Sequence, residues 1–76
     1  MIEELERVAL TEHLPEHHLN VGDVGLVVHV YGDYTGYEVE FVTLNGNLVA
    51  LASVYPHQIR RLEQDEIASA RRVKSA

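Results

Sequence analysis

The sequence predicts a small all-β domain, and three features carry that prediction. Short runs rich in Val, Leu, Tyr and Phe recur along residues 7–62, separated by turn-forming residues. The stretch Val21–Phe41 holds two such runs around the turn segment GDYTG at 32–36. In residues 37–42, apolar and acidic residues alternate, which is typical of a strand with one buried face. With 76 residues, the chain has room for one domain.

The first strand is predicted at residues 7–10, with alternate side chains facing the core. The polar connection that follows, 11–23, is too long for a hairpin turn. Pro15 prevents regular strand pairing within it. We expect Leu14 and Leu19 to anchor this connection onto the core.

The second strand, 24–31, is the strongest, because it is rich in β-branched and aromatic residues and has no breaker after Gly25. We expect Gly25 to permit a bend or a bulge, and Val27 to share a face with His29. The third strand, 37–42, alternates cleanly between apolar and acidic residues. Its predicted inward side chains are Tyr37, Val39 and Phe41.

The last two strands are predicted at 48–52 and 59–62. Asn45-Gly46 before the first of them predicts a two-residue type I′ hairpin turn. One 3₁₀ turn is expected at 56–58. Five short strands, a long first connection and a helical turn before the last strand are the pattern of a five-stranded SH3-like β-barrel, which we assign to 1–62.

Residues 63–76 form a separate C-terminal tail in this interpretation. Its acids come first and its bases last, as a helix dipole prefers. A helix of this length with a thin apolar stripe is marginal alone in water. The tail is therefore predicted to be partly helical or disordered.

Charge and composition limit the classes of function that the chain can have. The chain has 12 acidic and 6 basic residues, and residues 1–62 hold the whole net charge of −6. Nucleic-acid phosphates are bound by Lys and Arg, so an acidic barrel argues against nucleic acid as the main ligand. The chain has no cysteine, no signal-peptide pattern at its start and no apolar stretch near the ~20 residues of a membrane span. We therefore expect a cytoplasmic protein.

Residues 8–62 also resemble a family of small bacterial and cyanobacterial proteins known only as a domain of unknown function. The matching elements are Leu14-Pro15 with Leu19, Gly22-Asp23 with Gly25 and Val27, Tyr37 with Val39-Glu40-Phe41, Asn45-Gly46, and Ile59-Arg60 with Leu62. The resemblance implies an SH3-like barrel with no established activity. Its members often neighbour small genes of toxin–antitoxin type, which implies a protein partner.

Exposed aromatic residues beside acidic ones favour a protein-interaction module. The four tyrosines that could line a groove are Tyr31, Tyr34, Tyr37 and Tyr55, and the first two flank the turn at 32–36, where they would be accessible to a partner. The alternative is that Tyr37 belongs to the core and the other three cap the ends of the barrel. The predicted partner-binding face, suited to a basic protein, consists of Tyr31, Asp33, Tyr34, Glu38 and Glu40. An exposed edge strand could also pair with a second copy of the chain, so a homodimer is a further alternative.

Two other functions stay open. The turn of KOW-type domains in transcription and ribosomal proteins is similar to the Gly-Asp-x-Gly-x-Val element, and Arg60 and Arg61 with the tail would then contact nucleic acid. A weak metal site would use His13, His17 and His18, because imidazole suits Zn²⁺ and Ni²⁺. A solvated polar loop is the favoured explanation of these residues, since the chain has no cysteine to complete a structural zinc site. We find no catalytic constellation, so we predict no enzyme activity and no cofactor.

Overall fold

The computed structural model describes residues 1–73 as an all-β fold with five antiparallel strands in one sheet. The strands are β1 (Arg7–Leu10), β2 (Val24–Tyr31), β3 (Gly36–Val42), β4 (Leu48–Val54) and β5 (Ile59–Arg61). Their order across the sheet is β4-β3-β2-β1-β5. Short 3₁₀ turns lie at Pro15–His17 and Pro56–Gln58. The all-β prediction is confirmed, and this arrangement agrees with the SH3-like class that the sequence predicts.

The predicted strands differ little from the observed ones. β1 and β2 have the predicted bounds, whereas β4 runs on to Val54 and β5 ends at Arg61. Residues 63–73 contain neither helix nor strand, so the helix considered for the tail does not form there. The rest of that prediction, 74–76, lies outside the described residues. Within the described part of the chain, no helix is long and apolar enough to cross a membrane.

Every strand contributes side chains to the core, and so does the long connection after β1. Its buried side chains are Val8, Leu10, Leu14, Leu19, Val27, Tyr37, Val39, Phe41, Ala50, Ala52, Val54 and Ile59. Leu14 and Leu19 pair with each other as an isolated β-bridge and are both buried. Their predicted role as anchors of the connection is therefore confirmed.

A bulge in β2 changes which of its side chains face the core. The pairing with β3 is regular as far as Val27 and resumes at His29, so the register shifts at Val28. Beyond the bulge, Val30 packs against the core while His29 is exposed. The predicted grouping of Val27 and His29 on one face is wrong, because one extra residue reverses the alternation of a strand.

Gly25 allows β2 and β3 to pack closely. A Cβ atom at this position would stand 2.6 Å from Val39 Cγ1 and 2.8 Å from Phe41 Cε1. Real Cβ atoms do not approach other atoms so closely, so a side chain here would displace part of the core. The glycine is thus required for space on the buried face, and the bulge of β2 lies further along the strand, at Val28.

The turn between β3 and β4 is not the two-residue type I′ turn expected from Asn45-Gly46. The Gly46 amide donates to the Thr43 carbonyl at 2.9 Å, and the Thr43 amide donates to the Asn47 carbonyl at 2.8 Å. In this segment, only Gly46 has a positive φ, of 87°. The loop therefore has three residues and closes on a left-handed glycine, which is the next most common hairpin geometry.

We expect Gly25→Ala to lower the free energy of unfolding by about 1–3 kcal/mol, as overpacking of a filled core does. The loss should be smaller in a Val39→Ala background, because the nearest clashing methyl is then absent. Urea denaturation of the two single variants and the double variant measures both effects. An equal cost in the two backgrounds would show that the contact with Val39 is not the cause.

Candidate functional site

β3 supplies the centre of a surface on the face of the sheet that points away from the core. Successive strand residues point to opposite faces, so Gly36, Glu38 and Glu40 alternate with the three buried residues, and the strand ends at the exposed Val42. We call the resulting surface the outer face. It consists of Gly36, Glu38 and Glu40 on β3, Leu26, His29 and Tyr31 on β2, and Leu51 and Ser53 on β4.

An open cleft of about 290 Å³ lies at one end of the outer face. Tyr31 is the register partner of Gly36, and Tyr55 follows the last residue of β4, so both line the cleft beside the glycine. Ser53 and Thr35 also line it. Since Gly36 has no side chain, the space between the two tyrosines stays open. We call this feature the Tyr31–Tyr55 cleft.

Each tyrosine of the cleft is supported by a histidine. The Tyr31 ring meets the His29 ring edge-on, with 4.7 Å between centroids, and the Tyr55 ring stacks on His57 at 5.9 Å. Tyr31 is nevertheless 40% exposed and Tyr55 64% exposed. The rings are therefore held in place by neighbours of this chain and still present surface to a ligand.

The strands that form the cleft, β2, β3 and β4, carry charge of one sign, whereas Arg7 of β1 is the register partner of Leu26 at the other end of the outer face. No Lys or Arg occurs between Arg7 and Arg60, so β2, β3 and β4 carry only carboxylates and histidines as ionisable side chains other than tyrosine. Ser53 Oγ donates a hydrogen bond of 2.6 Å to Glu38 Oε1. This bond connects a carboxylate of the outer face to the wall of the cleft. The surface consequently favours a cationic ligand group.

The structure brings together three of the five predicted contact residues. Tyr31, Glu38 and Glu40 share the outer face, and Asp33 is exposed in the turn that leads to β3. Tyr34 has a different position, because its φ of 60° is left-handed and its side chain is half-buried against the core.

Tyr34 connects the turn to the start of the chain. Its hydroxyl lies 2.9 Å from each carboxylate oxygen of Glu3 and donates to that group. This hydrogen bond raises the pKa of the Tyr34 hydroxyl. The contact ties the β2–β3 turn to the N-terminal segment and keeps Tyr34 out of the cleft.

Sequence reasoning did not include Gly36 and Tyr55 in the contact face. The alternation of β3, extended back by one residue, already places Gly36 on the same side as Glu38. Tyr55 gives a weaker signal, since its place beside Gly36 depends on the register between β3 and β4.

Two of the three histidines of the long connection, His13 and His18, have a place in local structure. His13 Nδ1 accepts a hydrogen bond of 3.1 Å from the Val21 amide. His18 ends the first 3₁₀ turn with a left-handed φ of 58°. In residues 1–73, no three His, Cys, Asp or Glu side chains are grouped as they would be around a metal ion. The geometry thus gives the metal alternative no support from His13, His17 and His18.

Three arginines near the end of the chain are paired with carboxylates. The pairs are Arg60–Glu66, Arg61–Glu6 and Arg71–Asp23. Arg60 makes two bonds of 2.7 Å to its partner, and Arg61 Nε makes one of 2.8 Å. The hydrogen bonds from these two arginines lower the pKa of Glu66 and of Glu6 to about 2.

The fold and the outer face together define a small five-stranded antiparallel β domain with an aromatic cleft beside carboxylates of the sheet surface. The chain belongs to the family described as Domain of unknown function (DUF4926), whose model matches residues 4–61. The match ends with β5 and leaves the tail outside it. Searches of curated proteins and of solved structures gave no significant match.

The pair between Glu6 and Arg61 predicts a loss of stability in acid. A carboxylate whose pKa is lowered by folding stabilises the fold above its ordinary pKa of 4.5 and loses that contribution as the pH falls through about 2. Glu6→Gln and Arg61→Gln should each lower the free energy of unfolding at pH 6 and flatten its decrease between pH 5 and pH 2. Urea denaturation across this range measures the slope; a wild-type slope in both variants would contradict the assignment.

Proposed function

We propose that this chain is a non-catalytic protein-interaction module that binds its partner through the outer face and the Tyr31–Tyr55 cleft. The observation that carries the proposal is the gap at Gly36, which leaves two exposed tyrosines on either side of an open cleft. Tyrosine is enriched at protein interfaces, because it offers a large rigid surface with a polar end. Leu51 adds exposed apolar surface to the same face.

The chemistry of the cleft supports binding rather than catalysis. Its one hydroxyl–carboxylate contact, from Ser53 to Glu38, lies on an open and water-accessible surface. Catalytic groups act most strongly in sites that exclude water. A shallow surface that presents rings and carboxylates is better suited to holding the side chains of another protein.

The arginine pairs weigh against the nucleic-acid alternative. Arg60 and Arg61 would have to give up their carboxylate partners to bind phosphates. Each such exchange reduces the gain from a phosphate contact, though only slightly, because both ion pairs are exposed to solvent. The acidic outer face would also repel a phosphate backbone. We therefore favour a protein partner with a basic contact surface.

Site-specific photo-crosslinking in the source cells tests the proposed function. A photo-reactive phenylalanine derivative replaces Tyr31 or Tyr55 in the full chain, and Leu44 in a control. Leu44 is fully exposed in the loop between β3 and β4, at the other end of β3 from the cleft. We expect the cleft positions to form a covalent adduct that protease removes and nuclease does not.

Two results would contradict the proposal. Adducts that form equally at position 44 would show that the cleft is not the contact. Adducts at positions 31 and 55 that disappear with nuclease would favour the nucleic-acid function instead.

A further inference from the structure

We infer that the Tyr31–Tyr55 cleft receives an arginine side chain of the partner protein. The inference rests on the proposed function and adds to it the chemical group that is recognised. It follows from the shape of the cleft, the two aromatic rings and the sign of the surrounding charge.

The shape of the cleft suits a single long side chain. Its volume of about 290 Å³ is at the lower end of the range for small-molecule pockets, so it would hold a side chain and not a folded element. A Cβ atom at Gly36 would lie 3.7 Å from Tyr31 Cδ2, which is ordinary van der Waals contact, so a group that rests on the glycine also touches that ring. Tyr55 lines the same cleft and offers a second ring to a flat group placed there.

The rings and the charges select a flat cation. A guanidinium group stacks on aromatic faces and is attracted by their negative quadrupole. Its five N–H donors need acceptors, and the cleft offers the hydroxyls of Thr35 and Ser53. Glu38, which already accepts from Ser53, lies one row along the outer face and supplies the opposite charge. Lysine is a compact and strongly hydrated charge, so it gains less from two flat rings.

NMR titration of the full ¹⁵N-labelled chain tests the inference. The probe is the peptide acetyl-Gly-Arg-Gly-amide, and its matched control carries citrulline, which keeps the shape and removes the charge. We expect the arginine peptide to shift the amide signals of Gly36, Ser53 and Tyr55. The citrulline peptide should bind about tenfold more weakly, as the loss of a partly desolvated cation–π contact implies.

Variants separate the cleft from the general negative charge of the protein. Tyr55→Leu removes one ring, and Glu38→Gln removes one charge while keeping an acceptor for Ser53. Both should weaken binding of the arginine peptide several-fold. Glu16→Gln is the control, because it removes the same charge from the exposed 3₁₀ turn after β1. It should leave binding unchanged, and the dispersed amide spectrum shows that each variant is folded.

The inference is overturned if the arginine and citrulline peptides bind equally, if a lysine peptide binds as tightly as arginine, or if no cleft signal moves. It is also overturned if Glu16→Gln weakens binding as much as Glu38→Gln does, since the attraction would then be non-specific. These results are distinct from failure of the proposed function. If a protein is crosslinked at positions 31 and 55 but the titration shows no preference for arginine, the proposed protein-interaction function stands. Only the inference that the cleft receives an arginine side chain is then contradicted.

Discussion

The rest of the structure depends on the alternation of buried and outward side chains along β3, which repeats every two residues. Burial of Tyr37, Val39 and Phe41 fixes the strand in one register, because a slip by one residue would turn two carboxylates into the core. The same register then places Gly36, Glu38 and Glu40 in a row on the outer face. The acidic surface and the cleft are therefore set by the packing of the core behind them.

Two glycines in the sheet contribute by the absence of a side chain, on opposite faces. Gly25 is buried and makes room for Val39 and Phe41, so that β2 and β3 approach each other closely. Gly36 is on the outer face and leaves the space between Tyr31 and Tyr55. Neither has a positive φ, in contrast to Gly46 in the hairpin loop. Glycine thus permits tight packing of the core on one face of the sheet and leaves a cleft on the other face.

Most features encoded within a few residues could be predicted from the sequence, although the type of turn at Asn45-Gly46 could not. Features that depend on distant contacts could not be predicted. Alternation located β3, and a strong apolar run located β2. The bulge at Val28 has no local signal, because an ordinary valine occupies the extra position. The role of Tyr34 depends on Glu3, and Glu6 meets an arginine 55 positions away. The position of Tyr55 beside Gly36 could not be predicted for the same reason, since Tyr55 reaches the cleft only through the pairing of β3 with β4.

The most direct test of this account is the affinity of the crosslinked partner, once purified, for the wild-type chain and for Gly36→Ala. The added methyl would stand on the floor of the cleft, 3.3 Å from the Val54 carbonyl oxygen and 3.7 Å from Tyr31 Cδ2, and would raise that floor beside the Tyr31 ring. We expect binding to weaken by about tenfold, as the loss of one well-placed contact implies, in a chain that still unfolds cooperatively. An unchanged affinity would show that the partner does not enter the cleft and would contradict the account.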